Sequence, residues 1–213
     1  LLKDSERLAL LIMKRRKKEG MLDFDFPETE FDLDENGEVT AVRPSERHLS
    51  HRIIEHFMIE ANEVVSEFLE KHVQKSVYRI HDKPDPMKLN DFSQLAESFG
   101  IAVTIKDVTP KEVARASEAV GKSPYGDILG PALVRTMAKA EYNTNNIGHF
   151  GLASESYTHF TSPIRRYPDL MVHRLICNRL FNAHYEVTTD LDTACLKSTE
   201  NEQRAENAER DIE

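Results

Sequence analysis

His159-Phe160-Thr161-Ser162-Pro163-Ile164-Arg165-Arg166-Tyr167-Pro168-Asp169-Leu170 leads directly into Met171-Val172-His173-Arg174, and the reading of the whole chain turns on this run. Two adjacent arginines lie in a proline-bounded turn, and Pro168 suits the first position of a helix. A helix start presents unpaired N–H groups and a partial positive charge, so it favours an anion. Arg165 and Arg166 add forked donors beside it, a geometry that grips phosphate at two points. A second reading stands level with the first: a buried arginine tied to a carboxylate such as Asp169. Asp169 and His173 are spaced i, i+4 and are placed to bond each other, as architecture rather than as catalysts.

Around this run the pattern is mainly helical. Residues 168–181 are apolar nearly all round, which predicts a helix buried deep in a domain, and 196–211 read as a polar surface helix. Helices are also expected over 88–98, 110–119 and 127–140, the second opening at Thr109-Pro110 with Thr as cap. The strongest periodicity covers residues 50–70. There Ile53, Ile54, Phe57, Met58, Ala61, Val64, Val65, Phe68 and Leu69 form an apolar stripe expected to be core, with Glu55, Glu60, Glu63, Glu67 and Glu70 on the solvated side. Val77-Tyr78-Arg79-Ile80 predicts a short strand that leaves into a loop holding His81, Asp82, Pro84 and Pro86. Tyr78 either packs against the long helix or offers a ring face to a base.

Near the N-terminus, Asp4 or Ser5 caps a helix with Leu8, Leu11 and Ile12 on one side, ending at Lys14-Arg15-Arg16-Lys17-Lys18 and Gly20. A solvated last turn that complements the helix dipole is preferred for this basic run over a nucleic-acid contact. Leu22–Phe26 and Glu30–Leu33 alternate with period two and read as strands, and Asn36-Gly37 turns the chain back into Val39–Val42. Asp32 to Val39 imitates part of a calcium loop, but Arg43 stands where a bidentate carboxylate is needed. The fold class expected is α+β, mostly helices packed on a small, largely antiparallel sheet, as one domain over residues 1–213.

Composition bounds the function. With 39% apolar and 31% charged residues the chain is of soluble globular type, and no apolar run reaches membrane-spanning length. Cys177 and Cys195 are too few for a disulfide framework, so reduced thiols and a cytoplasmic setting are expected. No two histidines stand four apart, which argues against zinc, and no glycine-rich phosphate loop is present. A net charge of −9 argues against generic nucleic-acid binding, unless a few arginines line a narrow channel.

The central run, with Gly148-His149-Phe150-Gly151-Leu152 before it, resembles the signature of the ribonuclease II / ribonuclease R family of exoribonucleases. Tyr78-Arg79-Ile80-His81-Asp82-Lys83-Pro84 resembles a second stretch of that family, and Ala205-Glu206 to Glu209-Arg210-Asp211 its exit helix. The resemblance implies 3′-to-5′ hydrolysis of RNA to nucleotides, with the 3′ end of single-stranded RNA as partner and Mg2+ as cofactor in the parent enzyme. It implies Arg165 as catalytic, beside the scissile phosphate, and Tyr78, His81, His149, Arg166 and Tyr167 as RNA contacts, with Tyr78 stacking on a base. His159 is a further candidate donor to phosphate or ribose. The family's metal-binding aspartate cluster has no counterpart in residues 1–213. The expectation is therefore the C-terminal part of a catalytic domain, without the N-terminal half or the flanking oligonucleotide-binding domains, metal-free and inactive alone. The alternative is a catalytically silent RNA-binding or scaffold module of the same fold.

Overall fold

The computed structural model describes residues 1–23, 29–44, 48–187 and 190–211. Helix α1 (Leu2–Glu19) stops where Gly20 adopts φ 101° and its N–H bonds the Arg16 carbonyl. Its inward residues are Ala9 and Arg16, whereas Leu8 and Leu11 of the expected apolar side lie 52% and 59% exposed. The basic run is not a uniformly solvated turn. Arg16 is 2% exposed and its guanidinium is shared between Glu60 and Glu63, with Nε 2.8 Å from Glu60 Oε1. Two carboxylates around one buried guanidinium offset the cost of removing that charge from water.

Strands β1 (Thr29–Leu33) and β2 (Val39–Pro44) form the expected antiparallel hairpin. Its turn is closed by Asp34, whose side chain accepts from the N–H groups of Asn36 and Glu38. The strand expected over Leu22–Phe26 falls mostly outside the described residues. Helix α2 (Leu49–His72) is where expected, and Leu69, Val65 and Phe68 of the apolar stripe reach the core, but most of its fully buried positions lie outside that stripe. His56, Ile59, Asn62, Ser66 and Leu69 face inward, while Ile54 and Val64 are 58% and 65% exposed. The buried stripe is polar because it meets hydroxyls and amides: Ser66 Oγ lies 2.9 Å from Ser156 Oγ, and Asn62 bonds Tyr157. Glu60 and Glu63, expected in solvent, hold Arg16.

β3 (Tyr78–Ile80) leads to α3 (Pro86–Ser98), capped by Asp85, and then α4 (Pro110–Gly121), capped by Thr109 with Pro at the first turn. α5 (Gly126–Val134) ends well short of residue 140. Pro131 sits inside it, and the following N–H groups of Thr136 and Met137 bond back three residues, tightening the end before β4 (Glu141–Asn143). β3 pairs antiparallel with β4, so the fold is the α+β arrangement expected, mostly helices with small antiparallel sheet, and among the described residues that sheet is divided into two two-stranded pieces. One core gathers Leu89, Phe92, Val113, Leu129 and Leu133 from α3, α4 and α5. A second joins Leu69 and Val77 to Met171 and Val172 of α6 (Tyr167–Phe181) and to Leu191 and Cys195 of α7 (Leu191–Arg210).

α6 is buried only at its start: Met171 and Val172 are fully enclosed, but Leu180 and Phe181 are 55% and 74% exposed. α7 begins five residues before the expected start, because Asp190 caps it by accepting from Thr193 N–H at 3.0 Å. It is anchored where Tyr142 N–H donates to Thr199 Oγ1 at 2.9 Å. Among the described residues no helix is long and apolar enough to cross a membrane.

Candidate functional site

The arginine turn is built around one buried carboxylate. Asp169, in the first turn of α6, is 0% exposed and accepts from Arg166 Nε at 2.8 Å, Arg166 Nη2 at 2.7 Å and Ser162 N–H at 2.8 Å. The N–H groups of Arg165 and Arg166 close back on the Ser162 carbonyl at 3.3 and 3.1 Å. Arg166 is thereby bound at both ends of its fork. Arg165 is exposed and forms no ion pair among the described residues, and beside it Ile164 and Tyr167 are 102% and 47% exposed. His173 does not bond Asp169, as the i, i+4 spacing suggested; its Nε2 donates to the Phe160 carbonyl at 2.9 Å while its ring stacks on Phe160 at 4.3 Å.

The segment before the turn is tied down by three bonds, to the residue preceding β3 and to α2. Thr158 Oγ1 donates to the Val77 carbonyl, and Asn62 reaches from α2 to accept from Phe160 N–H at 3.0 Å and donate to Tyr157 Oη at 2.9 Å. These bonds align a row of rings, His81, His149, Tyr157, His159 and Tyr142, with neighbouring centroids 5.0, 5.3, 5.8 and 5.6 Å apart. Arg79 caps the row, 4.7 Å from the Tyr142 ring centroid and bonded to Glu202.

The glycines of Gly148-His149-Phe150-Gly151 serve this row. Gly148 holds φ +80°, and a Cβ there would meet the Ser154 carbonyl at 2.9 Å. A Cβ on Gly151 would lie 2.9 Å from His81 Nδ1, the atom to which Gly151 N–H donates at 2.8 Å.

Every histidine of the row is held neutral. Burial, then the neighbouring His81 and the Arg79 charge, push His149 down to about 3. Burial, followed by the charges of Arg166 and Arg79, pushes His159 down to about 2. Tyr142 is driven up to about 12, mainly by burial, and its neutral hydroxyl is hydrogen-bonded to His159 Nδ1 at 2.8 Å. His149 Nδ1 accepts from Leu152 N–H at 3.2 Å. The neutral His149 ring therefore carries its proton on Nε2, and neither its Nε2 nor that of His159 has a hydrogen-bond partner among the described residues. The His149 N–H donor and the neutral His159 ring, set in the field of Arg79, Arg165 and Arg166, suit an anion without bringing a titrating proton of their own.

The family model of the RNB domain matches residues 1–182. The chain belongs to the RNB domain family. Ribonuclease R of Aquifex aeolicus (strain VF5) is 45% identical over 172 residues, which are 80% of this chain and 24% of that protein. Mycoplasma genitalium RNase R in complex with ribose methylated single-stranded RNA superimposes with a TM-score of 0.92 at 30% identity, covering 99% of this chain and 34% of that one. Yeast Ssd1, a pseudonuclease, is similar with a TM-score of 0.58 and 26% identity over 72% of this chain and 19% of its own. The chain thus spans about a quarter to a third of the length of the first two.

In this RNB domain the residues picked from sequence fall into two groups. Arg165 and Tyr167 are exposed, and His149 is half-buried. Tyr78 is 7% exposed, so its ring has almost no open face for a base, and burial raises its hydroxyl pKa. His81 has both nitrogens engaged, Nε2 donating to the Ala138 carbonyl at 2.8 Å and Nδ1 accepting from Gly151, which leaves no donor for phosphate. Arg79, Asn62, Tyr142 and Tyr157 were not recognised from sequence. For Asn62 a signal existed: one amide inside the most apolar helical run of the chain.

Proposed function

We propose that this chain works within a 3′-to-5′ hydrolytic exoribonuclease that shortens RNA to nucleotides, the 3′ end of the single strand lying along the Arg165 turn. The observation that carries the reading is the unpaired Arg165 guanidinium on a turn locked by Asp169. A fork held ready in this way stabilises charge developing on phosphate oxygens without reorganising at the moment of reaction. Arg165 is the catalytic residue in this reading. Tyr167 offers a ring to a base, and His149 and His159 donate Nε2–H to phosphate or ribose. Arg166, His81 and Tyr78 hold the turn and the ring row from behind. Mycoplasma genitalium RNase R has been solved with single-stranded and with double-stranded RNA, which supports RNA as the partner.

The resemblance brings Mg2+ with it. Among the described residues no three His, Cys, Asp or Glu side chains converge to hold a metal. The donor set described here does not fit Mg2+, and the aspartates for it belong, in this reading, to a longer protein that also carries oligonucleotide-binding domains. The thiols of Cys177 and Cys195 are free, which accords with a cytoplasmic setting.

The test is labelled single-stranded RNA with Mg2+, given to this chain and to the full-length protein. Stepwise release of nucleotides from the 3′ end by the full-length protein alone is expected. The similarity to the yeast pseudonuclease favours a second reading, a catalytically silent RNA-binding module. A full-length protein that binds RNA 3′ ends yet releases no nucleotide establishes that one instead.

A further inference from the structure

A cavity of about 940 Å³ opens between α1, α2, α4 and α5, and it shares no lining residue with the Arg165 turn or the ring row. Its charge is lopsided. Lys14 and Lys18 of α1 and Lys111 and Arg115 of α4 line it without an ion-pair partner among the described residues. Of the carboxylates along it, Glu118 is occupied by Lys17 and Lys122 at 3.3 and 3.0 Å, and Asp23 by Arg52 at 3.2 Å; Asp127 has no ion pair among the described residues. Like charges drawn together with little compensation are costly in an empty site, and an anion removes that cost.

The floor supplies a second, independent sign. His56 is 5% exposed and lines the cavity, and its Nδ1 has no hydrogen-bond partner among the described residues; neighbouring Arg52 likewise has a buried Nε without one among them. Buried polar atoms are nearly always satisfied, so two such atoms on consecutive turns of α2, both in residues that line one cavity, point to a ligand. Near His56 the wall also carries Leu10, Met13 and Met21, so the site takes an apolar body as well as a charge. The volume is at the upper end of small-molecule sites, well beyond a bare oxyanion.

We infer that this cavity is a second phosphate site, taking the phosphate of a nucleotide or of an RNA strand between the α1 and α4 cations with His56 and Arg52 beneath it. The site is independent of the chemistry assigned to Arg165. Its role is to hold a phosphate-bearing ligand away from the reacting turn, and it needs no cleavage to be observed.

The test uses the full-length protein with isotope-labelled histidine and follows the His56 ring resonances while inorganic phosphate, adenosine 5′-monophosphate and a short oligoribonucleotide are titrated separately. A saturable shift with at least one probe is expected. A response to the nucleotide or phosphate identifies a free ligand, and a response to the oligonucleotide alone identifies the RNA strand. Lys111→Glu/Arg115→Glu, on the exposed side of α4, should weaken that response at least tenfold, and Lys14→Glu/Lys18→Glu on α1 should do the same. Arg165→Ala should leave it in place. The proposal is overturned by a His56 signal indifferent to all three probes, the result expected if a protein carboxylate fills the cavity. A response that survives both charge reversals, or one that disappears with Arg165→Ala, overturns it equally.

Discussion

Asp169 and Arg166 form a two-point pair, Nε to Oδ2 at 2.8 Å and Nη2 to Oδ1 at 2.7 Å, and the same carboxylate takes the Ser162 N–H. Of two arginines adjacent in sequence, one is therefore consumed in holding the turn and the other is left to act. The carboxylate-tied reading of the run is realised at Arg166, and Arg165 has no ion pair among the described residues. The division has consequences for every variant of this segment.

Asp169→Asn keeps the shape but removes the charge facing Arg166. Breaking a pair with one fully buried partner costs about 3 kcal/mol, and Arg166→Met added to it should recover part of the loss. Denaturant melting of the single and double variants measures this; a single variant as stable as the parent contradicts the assigned role.

Arg165→Lys preserves charge and loses the planar fork. In the full-length protein turnover should fall by the equivalent of about 3 kcal/mol, the scale of one transition-state donor, while RNA affinity changes far less. Single-turnover rates set beside equilibrium binding separate the two, and equal losses in both make Arg165 a plain binding residue.

Tyr78→Ala empties a position that is 7% exposed, and should cost about 3–4 kcal/mol of stability, as for other large-to-small changes in a core. Tyr78→Phe should be nearly silent, because the hydroxyl has no hydrogen-bond partner among the described residues. Melting temperature and the length of the end products, read together, decide: shifted product length with an unchanged melting temperature restores Tyr78 as a base-stacking residue.

Acid should loosen this fold before carboxylates titrate. Folded His149 and His159 stay neutral to about 3 and about 2, but unfolded they take up protons near 6.5. Below that value the unfolded chain binds more protons, so stability drops as pH falls, by about 1 kcal/mol per histidine between pH 6.5 and 5.5. His81, shifted down by burial, acts in the same direction. Urea midpoints across this range should flatten in His149→Gln/His159→Gln, and an equally steep slope there assigns the effect elsewhere.

Much of the local structure is legible in the chain itself. The 3.6 periodicity over residues 50–70 specifies α2, Thr109-Pro110 specifies where α4 begins, and Asn36-Gly37 specifies the hairpin, because caps, turns and periods depend on neighbours a few residues apart. The Gly148–Leu152 and Ser162–Arg166 runs likewise point to the family. Which face of α2 turns inward could not be read that way. Asn62 finds Tyr157 and Phe160 from 95 and 98 residues away, and Arg16 finds Glu60 from 44, so polar residues of α2 are buried while Ile54 and Val64 of its apolar stripe are left exposed. The protonation of the ring row is decided at the same level. His149 and His159 are neutral because packing takes them out of water beside Arg79 and Arg166, and periodicity carries no record of burial or of distant charge. Sequence supplied the candidates for the site; only the tertiary contacts assigned Arg166 to Asp169 and left Arg165 unpaired, since that choice depends on where one buried carboxylate lies in space.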